Sequence, residues 1–250
     1  MTPEHLTDSV ARGDPERWRA AMTAPAGRRT GLLALYGFNL EIARASWVAS
    51  EPMLAQIRLR WWADALAEIA AGMAPRRHEI VAPLAEAIGE GRLPMPLFEA
   101  MIEARARDAE TAPHPDRAAL DRYVAATAGA LLELAVRHLG APETALPAVR
   151  DFAQGAGIAA LLRARPTLLA RGRDPLPPGL DPRDLARDGL ALIARARANR
   201  ALVPAAAAPA LLGAATAAPR LRLAARGAAP DLSEFRARSV QLARGLSGRW

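Results

Sequence analysis

The sequence predicts an all-α protein built from helices in a single domain. Residues of high helix propensity dominate its 250 residues, with alanine at about a quarter of the chain, whereas β-branched residues are sparse. No stretch alternates apolar and polar residues for long, as a half-buried strand would. Proline and glycine recur at short intervals, and the segments between them have the length of helices. This spacing predicts about nine or ten helices.

Two early segments show what kind of helices these are. In residues 28–50 apolar side chains cover nearly the whole circumference, which is typical of a helix in the middle of a bundle. The next helix is expected to begin near Pro52. Proline is tolerated in the first turn of a helix because the N–H groups there have no partner within the helix. On that helix Arg60, Asp64 and Glu68 follow one another every four residues, which indicates a solvated face.

The later helices are bounded by prolines and end in a segment of broken helix. These prolines are Pro75, Pro94, Pro96, Pro113, Pro115, Pro142, Pro147, Pro175, Pro177, Pro178, Pro204, Pro209 and Pro219. A helix is expected to begin after residues 175–182. The alanine- and proline-rich residues 203–219 predict a pair of helices with breaks rather than a linker.

Length and hydropathy predict one domain over residues 1–250, with residues 1–14 expected to be flexible. Hydrophobic residues make up 51% of the chain, which is enough to bury a core. No apolar run approaches the roughly 20 residues of a membrane span. The first residues are polar and lack the apolar core of a signal peptide, so the expected location is cytoplasmic.

The charge balance alone excludes few classes of function. All 33 basic residues are arginines, and with 26 acidic residues the net charge is +7. The arginines are dispersed and only 4% of residues are aromatic, so the sequence predicts no nucleic-acid partner. The absence of cysteine excludes disulfides, thiolate metal sites and a cysteine nucleophile.

The sequence lacks the short motifs that mark common catalytic and metal sites. No two histidines have the helical spacing of metal ligands, and there is no Gly-rich phosphate loop. Asp184 and Asp188 would share a helix face and could hold Mg²⁺. They lie at the expected start of a helix, where the helix dipole favours acidic residues without any metal, and we prefer this structural interpretation.

Four blocks of the sequence resemble the squalene/phytoene synthase family along most of the chain. They are residues 35–47, beginning Leu-Tyr-Gly-Phe-Asn; residues 51–66, around Arg-Leu-Arg-Trp-Trp; residues 123–129; and residues 152–177. Their order and spacing match the family. The resemblance implies an all-α, single-domain, isoprenoid-synthase-type helical bundle with a central cavity.

The resemblance also implies where a metal site would lie. Enzymes of this family join two prenyl diphosphates head to head, with Mg²⁺ held by two aspartate-rich motifs across the cavity, because hard cations need carboxylate oxygens. In this sequence the aligned metal-site positions are Ala43, Arg44, Trp47, Ala164 and Leu168. None is acidic, so no catalytic residue, no metal site and no cofactor is expected. Mg²⁺ would be involved only if a residual enzyme activity remained.

Several short segments of the sequence resemble a non-catalytic branch of the family, typified by a mitochondrial assembly factor for respiratory complex I. They are residues 38–44, residues 51–52 with 57–62, residues 102–105 and residues 162–164. This resemblance implies a scaffold or assembly factor for a membrane complex such as respiratory complex I. A subunit or assembly intermediate of that complex would be the partner, and the protein would be peripheral at the inner membrane.

An alternative is a prenyltransferase of the head-to-head type, or a protein that binds a prenyl diphosphate or prenyl lipid in the old cavity. Guanidinium groups match phosphate oxygens and could bind a diphosphate without metal. The candidate anion-binding residues are Arg44, Arg58, Arg163 and Arg173. The competing interpretation places these arginines in the framework or in solvated loops.

Two aromatic residues are candidates for contact with the cavity or with a partner. They are Tyr36 in the first block and Trp62 in the second. Because adjacent residues lie about 100° apart on a helix, only one of Trp61 and Trp62 is expected to face the core.

Overall fold

The computed structural model describes residues 3–48, 52–91 and 93–250, and all regular secondary structure within these ranges is helical. The helices are α1 (Pro3–Gly13), α2 (Pro15–Met22), α3 (Ala26–Val48), α4 (Pro52–Ala70), α5 (Val81–Gly91), α6 (Met95–Ala106), α7 (Arg117–Val124), α8 (Ala130–His138), α9 (Leu146–Leu169), α10 (Pro182–Ala198), α11 (Ala208–Leu212), α12 (Ala217–Ala225) and α13 (Glu234–Ser247). The all-α prediction is confirmed. Thirteen α-helices occur in these ranges, more than predicted, because residues 3–13 also form a helix and a π-helical turn divides α7 from α8.

Helix α3 lies at the centre of the bundle, as its apolar circumference predicts. It packs against α1, α4, α5, α6 and α8, and Leu32, Leu35 and Phe38 are fully buried. The Phe38 ring lies edge-on to the rings of Trp62 and Phe98, with centroids 5.3 and 5.5 Å away. Aromatic side chains therefore join α3 to α4 and α6 in one core.

The N-terminal segment differs from the expectation that residues 1–14 are flexible. Residues 3–13 form α1, and its Leu6 and Val10 are 1% and 0% exposed. Their spacing of four residues places both on the face that packs against α3. Asp14 then caps α2 by accepting a hydrogen bond from the backbone N–H of Arg17 at 3.0 Å. Residues 1 and 2 lie outside the described ranges.

A single turn of π-helix, residues 125–129, joins α7 to α8. One extra residue in the turn rotates the side chains that follow, and such turns often occur at functional sites. Thr127 is buried, and its hydroxyl donates to the carbonyl oxygen of Tyr123 at 2.7 Å. The turn packs against α9, and Thr127 and Ala128 face the interior of the bundle, whereas Ala125 is exposed.

Within the described ranges, every helix is too short or too polar to span a lipid bilayer.

Close packing of α9 on α10 provides a test of the fold. A Cβ atom at Gly155 would lie 2.6 Å from the carbonyl oxygen of Gly189 and 2.6 Å from Cγ1 of Ile193. We therefore expect Gly155→Ala to lower the free energy of unfolding by ~2 kcal/mol, the usual cost of overpacking a core. Urea unfolding followed by circular dichroism measures this change.

Gly89 in α5 is the matched control, because a Cβ atom there meets nothing within 4 Å. Gly89→Ala should raise stability by up to ~1 kcal/mol, since alanine favours an exposed helical position over glycine. Equal effects of the two substitutions would contradict the packing described for α9 and α10.

Candidate functional site: two adjoining cavities lined by arginines

Two cavities lie side by side in the middle of the bundle. The first has a volume of about 210 Å³ and lies between α2, α3, α8, α9, α11 and α12. The second has a volume of about 220 Å³ and lies between α3, α6, α7, α8 and α9. Arg17, Ala128, Leu131 and Ala160 contribute to the walls of both. The two cavities are therefore neighbouring parts of one central site.

The first cavity contains a carboxylate bound by an arginine and a threonine. Arg220 of α12 donates to Oε1 of Glu16 at 2.6 Å, and the Thr216 hydroxyl donates to Oε2 of the same carboxylate at 2.6 Å. The side chains of Arg220 and Glu16 are 11% and 15% exposed. This ion pair joins α2 to α12 across the cavity. The Nε–H of Arg220 is buried without a hydrogen-bond partner.

Arg17 stands between the two cavities. Its guanidinium group pairs with Asp14, and its central carbon lies 5.8 Å from the ring centroid of Tyr36. Burial lowers the pKa of Arg17, but its interactions with Asp14, Tyr36 and Glu16 together outweigh burial, so the net pKa is raised and the group stays charged. Burial raises the pKa of Tyr36, whose hydroxyl has no hydrogen-bond partner and faces the first cavity as a neutral donor.

Asp108 is the centre of the polar cluster in the second cavity, and its side chain is 6% exposed. Arg105 donates to Oδ2 at 3.0 Å, and Arg173 donates to Oδ1 at 3.0 Å. The Tyr123 hydroxyl also donates to Oδ1, at 2.8 Å. Burial raises the pKa of Tyr123 to about 12, although Arg105 opposes this shift, so the hydroxyl remains a donor at neutral pH.

A glycine turn after α9 brings Arg173 to this cluster. Gly172 has a φ of +73°, which favours glycine because other residues rarely adopt it. The N–H of Arg173 then donates to the carbonyl oxygen of Leu168 at 3.0 Å, so the chain reverses at the end of the helix. Arg173 consequently points back to Asp108, which is 65 residues earlier in the sequence.

His114 lies at the wall of the second cavity as a neutral side chain. It is 2% exposed, and Nε–H of Arg107 donates to its Nδ1 at 3.2 Å. Burial, followed by the positive charges of Arg107 and Arg173, lowers the pKa of His114 to about 4. The imidazole thus adds no charge to the cavity at neutral pH.

Several residues selected from the sequence lie on the cavity walls. Ala164 and Leu168 line the second cavity together with Arg173, and Arg163 and Tyr36 line the first. The side chain of Arg163 is 53% exposed and its nearest carboxylate oxygen, on Asp231, is 3.7 Å away. Arg163 and Arg173 therefore belong to different cavities rather than to one anion site.

Other selected residues lie elsewhere. Arg44 is exposed and packs against Gly13, and neither Arg44 nor Ala43 lines either of the two central cavities. Arg58 is exposed on α4. Trp62 is a core residue, 4% exposed, and lines neither of the two cavities, whereas the sequence predicts that it contacts the cavity or a partner. The side chain of Trp47 lies outside the described part of the structure.

The residues that sequence reasoning missed are the cavity carboxylates and their partners. Asp14 and Glu16 precede or begin α2, where helix capping is a sufficient explanation for acidic residues. Asp108 lies just after α6 in an ordinary polar stretch. Their partners Arg220 and Arg173 are 204 and 65 residues away, so no local spacing connects them. Within residues 3–48, 52–91 and 93–250 no three His, Asp or Glu side chains are grouped to hold a metal ion.

The fold and cavity define an isoprenoid-synthase-type bundle. The structure is similar to a dehydrosqualene synthase solved with a ligand, with a TM-score of 0.84, 14% identity, and coverage of 98% of this chain and 95% of that one. It is also similar to squalene synthase HpnC from Alicyclobacillus acidocaldarius, with a TM-score of 0.70, 18% identity, and coverage of 98% and 94%. The family model for squalene/phytoene synthase matches residues 10–245, so the chain belongs to the squalene/phytoene synthase family.

Two curated relatives carry the name NADH dehydrogenase (ubiquinone) complex I, assembly factor 6. The protein from Bos taurus is 26% identical over 178 residues, which is 70% of this chain and 53% of the relative. The protein from Homo sapiens is 25% identical over 167 residues, which is 66% of this chain and 50% of the relative. The chain therefore spans about half the length of these relatives.

Removal of the central acceptor of the second cavity should destabilise the protein. We expect Asp108→Asn to lower the free energy of unfolding by ~3 kcal/mol, because Arg105 and Arg173 would keep buried charges without a carboxylate. Denaturant titration measures the loss. Glu110→Gln is the control, since Glu110 is 57% exposed and its ion pair with Arg107 should contribute less than ~0.5 kcal/mol. Equal losses in the two variants would argue against a buried cluster.

The low pKa of His114 predicts a pH dependence of stability. Its pKa is about 4 in the folded protein and about 6.5 in the unfolded chain, so the unfolded chain binds more protons between these values. Stability should fall as the pH is lowered through this window. His114→Gln should flatten the dependence of the urea midpoint on pH between about pH 4 and 6.5. The pKa of His138 is also lowered by burial, so this residue contributes a slope of the same sign that remains in the variant. An unchanged slope in the variant would contradict this assignment.

Proposed function

We propose that this protein is a non-catalytic member of the squalene/phytoene synthase family that acts as a scaffold or assembly factor for a membrane complex such as respiratory complex I. One observation carries the proposal: each carboxylate that lines the two cavities in the described structure is bound by arginine. Asp14 pairs with Arg17, Glu16 with Arg220, and Asp108 with Arg105 and Arg173.

The donor set at the cavities does not fit Mg²⁺. A hard cation needs several free oxygen ligands, usually carboxylates. The positions aligned with the metal motifs on the second cavity are Ala164 and Leu168, which offer no side-chain oxygen. The carboxylates of Glu16 and Asp108 already accept hydrogen bonds from guanidinium groups. In this proposal arginines take the electrostatic place of the metal, and no step of prenyl transfer is assigned to the site.

The size of the cavities favours the same interpretation. Taken separately, the cavities of about 210 and 220 Å³ are each below the ~300 Å³ at which pockets for drug-sized ligands begin. Arg17, held by Asp14, contributes to the wall between them. Two prenyl diphosphates side by side would need considerably more space than either cavity offers.

The partner in this proposal is a subunit or an assembly intermediate of a membrane respiratory complex. The two relatives named as complex I assembly factors support this choice. The protein would be cytoplasmic and peripheral at the inner membrane, and it would need no metal and no organic cofactor.

A second candidate is metal-free binding of a prenyl diphosphate or prenyl lipid, or a residual head-to-head prenyltransferase. Five arginines and three carboxylates line the described cavities, so the site keeps an excess of positive charge. Arg163 is half exposed and only loosely paired, which leaves its guanidinium group available to a diphosphate. Titration with farnesyl diphosphate would then show binding without Mg²⁺ and a clear loss in Arg163→Gln.

Deletion of the gene in its source organism tests the leading proposal. We expect less assembled NADH dehydrogenase complex in membranes, measured by native electrophoresis and NADH oxidation, with recovery on expression of the wild-type gene. Glu16→Gln expressed at the same level should restore assembly, provided that it folds, because no chemistry at this carboxylate is required. Normal amounts of complex in the deletion strain would refute a role in its assembly.

Incubation of the purified protein with farnesyl or geranylgeranyl diphosphate and Mg²⁺ tests the absence of catalysis. We expect no head-to-head product by mass spectrometry, since free carboxylate ligands for the metal are lacking at the cavity walls. An active squalene or phytoene synthase in parallel verifies the assay. Formation of squalene, dehydrosqualene or phytoene would show that the protein is an enzyme.

A further inference from the structure

Helix α13 carries a row of large apolar side chains that point away from the protein. Phe235, Leu242 and Leu246 are 82%, 64% and 81% exposed. Their spacings of seven and four residues place them on one face of the helix. Ala237 and Gln241 lie on the opposite face of the helix and are buried, so this opposite face packs against the body of the protein. The apolar row is therefore the outermost part of this helix.

An apolar groove runs beside this row. It has a volume of about 1000 Å³ and is lined by the same three side chains together with Trp18, Leu212 and others. Gln241 fixes the helix at the groove by donating to the carbonyl oxygen of Glu16 at 2.6 Å. The exposed apolar surface thus continues from the apolar row of α13 into the groove. Its area is therefore much larger than that of isolated exposed apolar residues.

A second groove lies on the other side of α13 and is basic. Its arginines are Arg222, Arg226, Arg236, Arg244 and Arg249. None of these five side chains forms an ion pair with any residue that the structure describes, and no acidic residue lines the groove. Most arginines elsewhere in the bundle are paired. Beside the groove, burial first and then the positive charges of Arg244 and Arg222 lower the pKa of Arg197 to about 10.

We propose that this face, consisting of the apolar row Phe235, Leu242 and Leu246 and the five unpaired arginines, docks on an anionic lipid bilayer. A helix with large apolar side chains on one side and arginines next to them lies in the plane of a membrane interface. The three apolar side chains would insert among the lipid headgroups, and the guanidinium groups would contact lipid phosphates.

Charge and shape favour a bilayer over other occupants. In a symmetric contact with a second copy, the arginine groove would approach its own like charge, which disfavours a dimer through this face. An anionic leaflet instead supplies negative charge along the whole row, and each basic residue adds to its affinity. This face would attach the protein to the membrane at the peripheral location that the proposed function requires. This attachment would hold for an enzyme as well as for a scaffold.

Flotation of the purified protein with lipid vesicles tests the proposal. The probes are vesicles of phosphatidylglycerol mixed with phosphatidylcholine, and vesicles of phosphatidylcholine alone. We expect binding to the anionic vesicles only, with release at high salt. The variants Phe235→Ser/Leu246→Ser and Arg226→Gln/Arg236→Gln should each weaken binding at least about tenfold. Both change exposed side chains, and circular dichroism verifies that they fold.

Met53→Ser/Ile57→Ser is the matched control, because Met53 and Ile57 are 66% and 57% exposed on α4, away from the arginine groove. This variant should bind like the wild type. The proposal is overturned if the wild type fails to bind anionic vesicles, if both vesicle types bind equally, or if the α4 variant loses as much binding as the α13 variants. It is also overturned if the α13 variants convert a dimer to a monomer in light scattering without changing vesicle binding. A normal complex I level after gene deletion would leave this inference intact.

Discussion

The pairing of cavity carboxylates with arginines is the constraint on which the centre of the bundle depends. Glu16 and Arg220 join α2 to α12, and Asp108 and Arg173 join the end of α6 to the turn after α9. A buried carboxylate without a partner would cost several kcal/mol, and so would a buried guanidinium group. Each pair is stabilising only while both members are present. The helices that contribute them are therefore held in one arrangement around the cavities.

Local patterns predicted much of this fold. The apolar circumference of α3 placed it at the centre, and the family blocks placed Ala164 and Leu168 on a helix that does line the second cavity. These inferences succeed because periodicity and aligned spacing are local properties of a chain. The same reasoning did not identify helix α1, because the polar composition of residues 1–14 concealed the four-residue spacing of Leu6 and Val10.

The polar partners at the site could not be predicted in the same way. Nothing near Glu16 indicates that Arg220 will bind it, since the two are 204 residues apart and meet only when α2 and α12 pack. Arg163 and Arg173 are both candidate anion-binding residues and are close in sequence, but a helix end and a turn separate them into different cavities. Trp62 was ambiguous because one turn of helix presents adjacent residues to different surroundings. Tertiary packing alone decides these cases.

The excess of arginine has a different meaning in three dimensions. Along the sequence the 33 arginines are dispersed, and the net charge of +7 identifies no surface. In the fold most of the cavity arginines neutralise a carboxylate, so they contribute little to the external field. The arginines beside α13 are without such partners among the described residues, and they gather next to the most exposed apolar side chains. Arginine thus has two roles in this fold. Inside the bundle it neutralises buried carboxylates, and at one outer face it concentrates positive charge. Because charge and apolar surface coincide at that face, the basic composition favours attachment to an anionic interface, and nucleic acid, which lacks an apolar surface of this kind, fits it less well.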